Sequence, residues 1–219
     1  MDADGTDGGT VRSYRSPRRE ANARQTRARI IAAATLRFLA YGYSATTMRA
    51  VAAGAGVALP TVELAFRTKA RLLKAVIDVA IAGDGEHMAM LDRQWAAQAE
   101  STTDPADFLG AFSRQLTTSA GRAAGLAAVA LEGAHADQDI AAVAAQLKSQ
   151  RQVMAAWLVD GLLVRTAMRD GTSHGEAVDI VWMLMDPVIF CRLTEDRHWS
   201  PDQFQRWFSD TVTRLLLPS

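Results

Sequence analysis

Two short apolar patterns separated by a glycine-containing turn lie within residues 41–74, and they limit the possible folds more than any other part of the sequence. Gly42 can end the preceding helix, because glycine adopts the left-handed conformation without a Cβ clash. The following threonines offer an N-cap for a helix that runs out at residues 54–56. A second helix is predicted over residues 60–66, since proline fits the first turn of a helix. Two helices joined in this way predict a helix-turn-helix, whose second helix enters the DNA major groove.

The residues of this stretch also resemble a known family. The string GYSATTMRAVAAGAGVALPTVELAFRTKARLL is similar to the N-terminal DNA-binding domain of TetR-type (TetR/AcrR) transcriptional regulators. The resemblance extends over about Gln25 to Ile77 and includes Ala-Thr-Thr, Ala-Gly-Val, Thr-Val-x-x-x-Phe and Thr-Lys-x-x-Leu-Leu. The family usually carries an aromatic residue where Glu63 stands and often a second one where Ala65 stands. The resemblance implies an N-terminal DNA-binding head on a helical body that binds a ligand and dimerises.

Helical patterns continue through the rest of the chain, and no stretch alternates apolar and polar residues with period two. The predicted class is all-α, with an N-terminal three-helix helix-turn-helix domain and a C-terminal helical ligand-binding and dimerisation domain. Residues 1–21 are predicted to be a disordered arm, residues 22–83 the DNA-binding domain and residues 84–219 the body. The predicted helices outside the helix-turn-helix cover residues 22–40, 69–82, 86–99, 104–120, 122–134, 137–168, 175–194 and 201–217.

Charge divides the chain in a way that fits this organisation. The first 80 residues contain thirteen Lys and Arg against six Asp and Glu, whereas the remainder contains eleven against eighteen. A basic head and an acidic body are typical of a protein that binds nucleic acid at one end. Cys191 is the only cysteine, and no signal peptide or membrane span is apparent, so we expect a cytoplasmic protein without disulfides. No metal-binding cluster or cofactor motif is found, and no cofactor is predicted.

The second helix of the motif is expected to present Leu59, Thr61, Glu63 and Leu64 to DNA. Thr61 can hydrogen-bond a base edge or a phosphate, Leu59 can pack on a thymine methyl, and Glu63 can accept from a cytosine amino group. For Arg49, an ion pair within the protein is the alternative to a DNA contact. The residues expected to hold phosphates on either side of this helix are Thr46, Thr47, Arg49, Arg67 and Lys69.

All five tryptophans lie in the body. Trp95, Met154 and Trp157 are the candidate walls of a small-molecule pocket, with ordinary core packing as the alternative for each. His135 is a candidate for orienting a ligand, against a plain surface position. The resemblance also implies a homodimer through residues 175–194 and 201–217, with a core within one chain as the alternative for their apolar faces. The apolar residues expected to pair there are Val178, Val181, Trp182, Leu184, Met185, Val188, Ile189, Phe204, Phe208, Val212 and Leu215.

These features favour a ligand-responsive regulator of transcription, namely a repressor released from a palindromic operator in double-stranded DNA by a small apolar or amphipathic molecule. A helical dimeric DNA-binding protein without a ligand is the alternative. An enzyme is not favoured, because the sequence contains no nucleophile elbow, P-loop, dinucleotide fingerprint or metal-ligand cluster. A cavity in the body would favour the ligand-responsive regulator, and a solid body would favour the alternative.

Overall fold

The computed structural model describes residues 17–83, 91 and 94–218. All regular secondary structure in this part of the chain is helical, and no β-strand occurs within it. The predicted all-α class is therefore confirmed. The helices are α1 (Pro17–Ala45), α2 (Met48–Ala55), α3 (Leu59–Phe66), α4 (Lys69–Ala82), α5 (Gln94–Glu100), α6 (Pro105–Gly133), α7 (Gln138–Arg165), α8 (His174–Leu184), α9 (Pro187–Cys191) and α10 (Pro201–Leu216), with a π-helical segment at Arg192–Asp196.

Helix α1 begins five residues earlier than predicted. Pro17 starts it and Glu20 lies in its first turn, where a fixed φ and a negative charge near the positive helix end are both favourable. Residues 17–21, predicted as part of a disordered arm, are therefore helical, and residues 1–16 of that arm lie outside the described residues. The predicted helix 86–99 is described only in part, as α5.

Two of the longer predicted helices have different ends. The predicted helices 104–120 and 122–134 are the single helix α6, because Gly121 costs only about 1 kcal/mol within a helix and nothing caps a break there. The predicted helix 175–194 is interrupted after α8. Asp186 caps α9 through the Val188 N–H, and Pro187 supplies no N–H to continue the preceding helix. The predicted helix 137–168 ends at Arg165, three residues early.

Helices α1 to α4 form the head. α1 bends at Gly42, whose φ of 70° lies in the left-handed region, as its position in the sequence predicts. α2 ends at Gly56, also left-handed, and α3 follows after a short turn. No single helix in the described ranges is long and apolar enough to span a membrane. Helices α2 and α3 meet that length and composition only when they are taken together, and they are bent by 112° at their junction.

The head and the body are packed around two apolar clusters. The first includes the core of α1 to α4 and continues into α6 and α7 through Leu126, Ala130 and Ile140. The second lies within the body and is rich in aromatic rings, such as Phe108 and Phe112 on α6. The predicted domain boundary between residues 83 and 84 lies one residue beyond the C-terminus of α4, and it remains a prediction.

The apolar faces of α8 and α10 are not free to pair between subunits as expected. Five of the residues expected to pair between subunits lie instead in the core of this chain, at 7% exposure or less: Val178, Val181, Phe204, Phe208 and Val212. Both helices bury these faces within their own chain, in the aromatic cluster of the body. The large apolar side chains that remain exposed on α8 and α10 are Met183 (59%) and Leu215 (46%).

Candidate DNA-binding surface and ligand cavity

Helix α3 presents a mixed surface to solvent. Thr61 and Glu63 are exposed, and Leu64 is 86% exposed, an unusual position for a leucine that has no partner to cover it. Leu59 is half-buried against the head core, so only part of its side chain is available for a base contact. Ala65, on the same helix, is exposed as well.

The two adjacent threonines before α2 have different environments. Thr46 is buried at 1% exposure, and its hydroxyl lies 2.8 Å from the Gly42 carbonyl oxygen and 3.1 Å from that of Arg37. It fixes the bend of α1, and its predicted DNA contact is corrected. Thr47 is exposed, and its Oγ1 accepts a hydrogen bond of 3.1 Å from the Ala50 N–H as the N-cap of α2.

Lys69 is held within the protein. Its Nζ donates to the Tyr43 carbonyl oxygen at 2.7 Å and lies 4.1 Å from the centroid of the Tyr43 ring. Burial lowers the pKa of this ammonium group. The ammonium group that was expected to meet phosphate therefore ties the start of α4 to the end of α1. Arg49 and Arg67, the other predicted cationic contacts, are exposed.

Two further arginines stabilise the helix-turn-helix from α1. Arg29 Nη2 donates to the carbonyl oxygens of Ala55 (2.5 Å) and Gly56 (3.0 Å), at the end of α2. Arg27 lies 4.5 Å from the centroid of the Phe66 ring. Both cations lock the turn and recognition helix onto α1, a role that spacing along α1 alone does not reveal.

The body contains a cavity of about 550 Å³, within the range of small-molecule sites. Trp95 and Met154 line it, as predicted. Trp157 lies behind this wall, with its ring 5.5 Å from that of Trp95 and its Nε1 donating to Glu100 Oε1 at 3.0 Å. His135 is exposed in the connection between α6 and α7 and does not line the cavity, so both predictions are corrected. Three aromatic residues that the sequence did not assign to a pocket complete the wall: Phe112, Phe190 and Phe204.

Three pairs of polar groups involve residues of the wall. Lys74 Nζ contacts both carboxylate oxygens of Asp78, at 2.5 and 2.7 Å. Gln115 Nε2 donates to Ser119 Oγ at 3.0 Å. Arg151, the most deeply buried cation of the wall, has its Nη1 at 2.7 Å from an oxygen of Asp186. Burial lowers the pKa of Arg151, and Asp186 opposes that shift.

Helix α4 borders both the head core and the cavity. Its buried residues Leu72, Leu73 and Val76 pack in the head, while a second face, which includes Lys74, Asp78 and Ile81, lines the cavity. Arg122 on α6 fixes the end of this helix: Nε donates to the Ala80 carbonyl oxygen at 2.8 Å, and Nη2 to that of Ile81 at 3.0 Å. The cavity is therefore bordered by a helix that also packs in the core of the head.

Residues 30–76 match the family model described as bacterial regulatory proteins, tetR family. The match covers α2, α3 and most of α1 and α4, which are the elements that form the head. The head therefore resembles the N-terminal part of TetR-family regulators. No curated protein matches the sequence of the chain significantly.

Solved structures share this fold over about 90% of the chain. NalD of Pseudomonas aeruginosa, the secondary repressor of the MexAB-OprM multidrug efflux pump, superposes with a TM-score of 0.64 at 17% identity, covering 90% of this chain and 98% of NalD. A transcriptional regulator from Saccharomonospora viridis, solved in complex with choline, gives 0.65 at 14% identity over 90% and 100% of the two chains. A TetR-family member from Streptomyces coelicolor A3 gives 0.58 at 22% identity over 89% and 99%.

The head differs at α3 from the pattern typical of TetR-type domains. Glu63 and Ala65, which stand where the family often has aromatic residues, are both exposed on α3. A carboxylate and a methyl group thus stand where rings are usual. Few of the exposed side chains of α3 are strong hydrogen-bonding readers of bases.

Proposed function

We propose that this regulator is a dimeric repressor that leaves a palindromic operator when a small apolar or amphipathic molecule fills the cavity of its body. The observation that carries the proposal is the shared position of α4, one face of which packs in the head while another lines the cavity. A ligand can then alter the orientation of the head through a direct contact. A coupling of about 1–3 kcal/mol between the two sites is typical of such switches.

In this proposal residues 22–83 act as the DNA-binding domain and residues 84–219 as the ligand-binding and dimerisation domain. Thr61, Glu63 and Leu64 approach the bases from α3, with a smaller contribution from Leu59. The exposed groups that flank α3, Thr47, Arg49 and Arg67, hold the phosphates and set the register of the head on DNA. The basic head and the acidic body support this division of work.

Two copies of the chain are proposed to associate through the outer faces of residues 175–194 and 201–217, which include Met183 and Leu215. A helix-turn-helix protein that reads two half-sites needs its heads about 34 Å apart, one turn of DNA. A dimer supplies that spacing, and a ligand that changes the spacing weakens binding at both half-sites together.

Two comparisons favour the repressor and the effector, respectively: NalD is described as a repressor, and the regulator from S. viridis was solved with choline. The alternative, a DNA-binding dimer without a ligand, predicts a filled body. The cavity of about 550 Å³ between α4 and the body helices favours the ligand-responsive form. We expect this protein to act in the cytoplasm, where the chromosome lies.

Selection of DNA sites from a random pool by the purified protein tests the DNA-binding part of the proposal. We expect an enriched palindrome with half-sites about one helical turn apart. Replacing Arg67 with Ala should weaken binding to all sequences and reduce the slope of log affinity against log salt by about 0.9. Thr61→Ala should instead reduce the preference for the selected site.

Arg169→Ala is the matched control, because Arg169 is an exposed arginine between α7 and α8, outside the head and the proposed dimer contact, and its removal changes the net charge by the same amount. It should leave the salt slope unchanged. Failure of a folded, dimeric sample to enrich any sequence would contradict the proposed operator binding. Arg67→Ala and Thr61→Ala proteins that both bind DNA like the parent would show that α3 and its flanks are not the interface.

A further inference from the structure

We propose that the effector is an organic anion, with an apolar body that fills the aromatic part of the cavity and one carboxylate or similar group that binds beside Arg151. This inference depends on the proposed effector role of the cavity and defines the chemical class of molecule that the cavity accepts. It is based on the charges of the wall, the state of their partners and the burial of Arg151.

The charged groups on the wall are unequal in sign. Among the described residues that line the cavity, Lys74, Lys148 and Arg151 are cationic, and Asp78 is the one carboxylate. Lys74 Nζ already contacts both oxygens of Asp78, at 2.5 and 2.7 Å. A cationic ligand would therefore have to displace a lysine to reach a carboxylate on this wall, whereas an anion meets an excess of positive charge.

Arg151 provides the most specific anion site. Its side chain is only 10% exposed, and its guanidinium carbon lies 4.1 Å from the centroid of the Trp182 ring, so the group is held in a fixed orientation. Its buried Nε has no hydrogen-bond partner among the described residues. A guanidinium group presents its donors as a planar fork that matches a carboxylate. Arg151 also lines the cavity, so a ligand carboxylate there can accept from the accessible part of this fork.

The existing partner of Arg151 is suited to accept a competitor. Asp186 uses one carboxylate oxygen to cap α9, accepting from the Val188 N–H at 2.8 Å, and the other to contact Arg151 at 2.7 Å. A ligand carboxylate can share or replace the second contact while the cap stays intact. Asp186 lies at the break between α8 and α9. An anion that displaces its contact with Arg151 would therefore also affect the junction of these two helices.

The aromatic wall alone does not distinguish an anion from a quaternary ammonium ion, since rings also attract cations. Here the rings pack on one another: Phe190 meets Phe204 at 4.8 Å between centroids and Trp95 meets Phe112 at 6.4 Å, both edge to face. They form an apolar lining for the body of the ligand, and the charged groups determine the preferred sign of its head group.

Three probes of equal chain length test the inference on the full-length protein: decanoate, decan-1-ol and decyltrimethylammonium, each below its aggregation concentration. Binding is followed by tryptophan fluorescence, because Trp95 lines the cavity, and by calorimetry. We expect decanoate to bind about tenfold more tightly than decanol, as a charge-assisted hydrogen bond supplies such a factor, and decyltrimethylammonium to bind more weakly than both.

Two substitutions should move the decanoate affinity in opposite directions. Arg151→Gln should weaken it about tenfold and leave decanol unchanged. Asp186→Asn should strengthen it, because the competing charge is removed while asparagine still caps α9. Arg169→Gln, at an exposed site between α7 and α8 that does not line the cavity, is the matched control and should change the binding of neither decanoate nor decanol.

Tighter binding of decyltrimethylammonium than of decanoate would overturn the anion inference and leave the effector role of the cavity intact. The same conclusion would follow if both Arg151→Gln and Asp186→Asn left the preference for decanoate unchanged. If none of the probes bound to a folded parent protein that binds DNA, the inference would fail together with the proposed effector site. The comparison of the three probes on the parent protein needs no variant, so a misfolded variant cannot obscure it.

Discussion

The head and the body of this protein differ in how completely their apolar side chains fill the interior. In the head, Phe38, Leu72 and Leu73 are fully buried, and side chains from α1 and α4 bind the ends of the neighbouring helices. In the body, an aromatic cluster of similar burial leaves a cavity of about 550 Å³ beside it. A recognition helix must be held in one orientation, whereas a body that responds to a ligand must keep volume unfilled.

The buried cations show the same contrast. Arg29 and Lys69 in the head donate to backbone carbonyl oxygens, which no ligand can exchange without breaking the turn. Lys74 and Arg151, which line the cavity, pair with the carboxylates of Asp78 and Asp186, and a ligand in the cavity can compete for these pairs. The cations of the head therefore hold its helices in place, whereas those of the cavity wall have carboxylate partners that a ligand can replace.

The largest expected effect comes from emptying the filled core. Phe38→Ala should lower the free energy of unfolding by about 3–5 kcal/mol, because Phe38 is fully buried and packs on the Tyr43 ring at 6.4 Å. Met154→Ala should cost no more than about 2 kcal/mol, since Met154 already borders empty volume. Urea unfolding of both variants measures the difference. Equal losses would show that the two regions are packed alike.

Adding volume should also destabilise the head more than the cavity wall. Ala52→Leu in the head core, where Ala52 is 3% exposed, should cost about 1–3 kcal/mol through overpacking. Ala123→Leu on the cavity wall should cost less than about 1 kcal/mol, because the added methyl groups enter the cavity, and it should abolish decanoate binding. Thermal unfolding and a decanoate titration provide the two measurements. An unfolded Ala123→Leu protein would contradict the presence of free volume at this wall.

Two glycines of the body helices distinguish packed from open positions within that region. A Cβ at Gly161 would overlap the Phe108 ring, while one at Gly121 would meet nothing within 4 Å. Gly121→Ala should stabilise the protein by about 1 kcal/mol through helix propensity. Gly161→Ala should destabilise it by a similar amount, since overpacking costs about 1–3 kcal/mol. Opposite shifts of the urea midpoint are expected, and shifts of the same sign would contradict this view of the α6–α7 contact.

The smallest effect concerns the hydrogen bond that joins the head to the body. Asp137 caps α7 through the Ile140 N–H at 2.9 Å and accepts from the Tyr43 hydroxyl at 3.1 Å. These contacts, the Ile140 N–H first, lower the pKa of Asp137 below its usual 3.8. The stabilisation is complete above that usual value and is lost as pH falls through the lowered pKa.

Asp137→Asn keeps an oxygen in the cap and removes this titration. The stability advantage of the parent over Asp137→Asn should therefore be largest near neutral pH and shrink as pH falls below about 4. Urea unfolding of both proteins at several pH values measures it. An advantage that stays constant down to acid pH would assign the pH dependence to other groups.

Local sequence signals predicted the head well because its turns are specified by single residues. Gly42 and Gly56 have the left-handed conformations that their positions required, and Val62 and Phe66 are buried as helical spacing indicated. The same reasoning could not separate Thr46 from Thr47. Both can cap a helix, and only the three-dimensional position of the Gly42 bend makes one of them a buried hydrogen-bonding group.

The body was less predictable because its site forms between helices that are distant in sequence. Trp95 and Met154 line the cavity while Trp157, three residues along from Met154 on the same helix, lies behind the wall. Their residue types indicate a buried position for all three but do not show which of them face the cavity. Lys74 and Asp78 carried a usable signal: charges at i and i+4 on a helix whose other face is apolar. That pattern is also common on solvated surfaces, so it did not reveal a cavity.

The most direct test of a switch through α4 is the reciprocity of its two ligands. The affinity of the protein for its selected DNA is measured with and without saturating decanoate, and the affinity for decanoate is measured with and without that DNA. Linkage through one equilibrium predicts that each ligand weakens the other by the same factor, about 5–150-fold for typical couplings. Decanoate that binds free and DNA-bound protein equally well would contradict control of the head from the cavity.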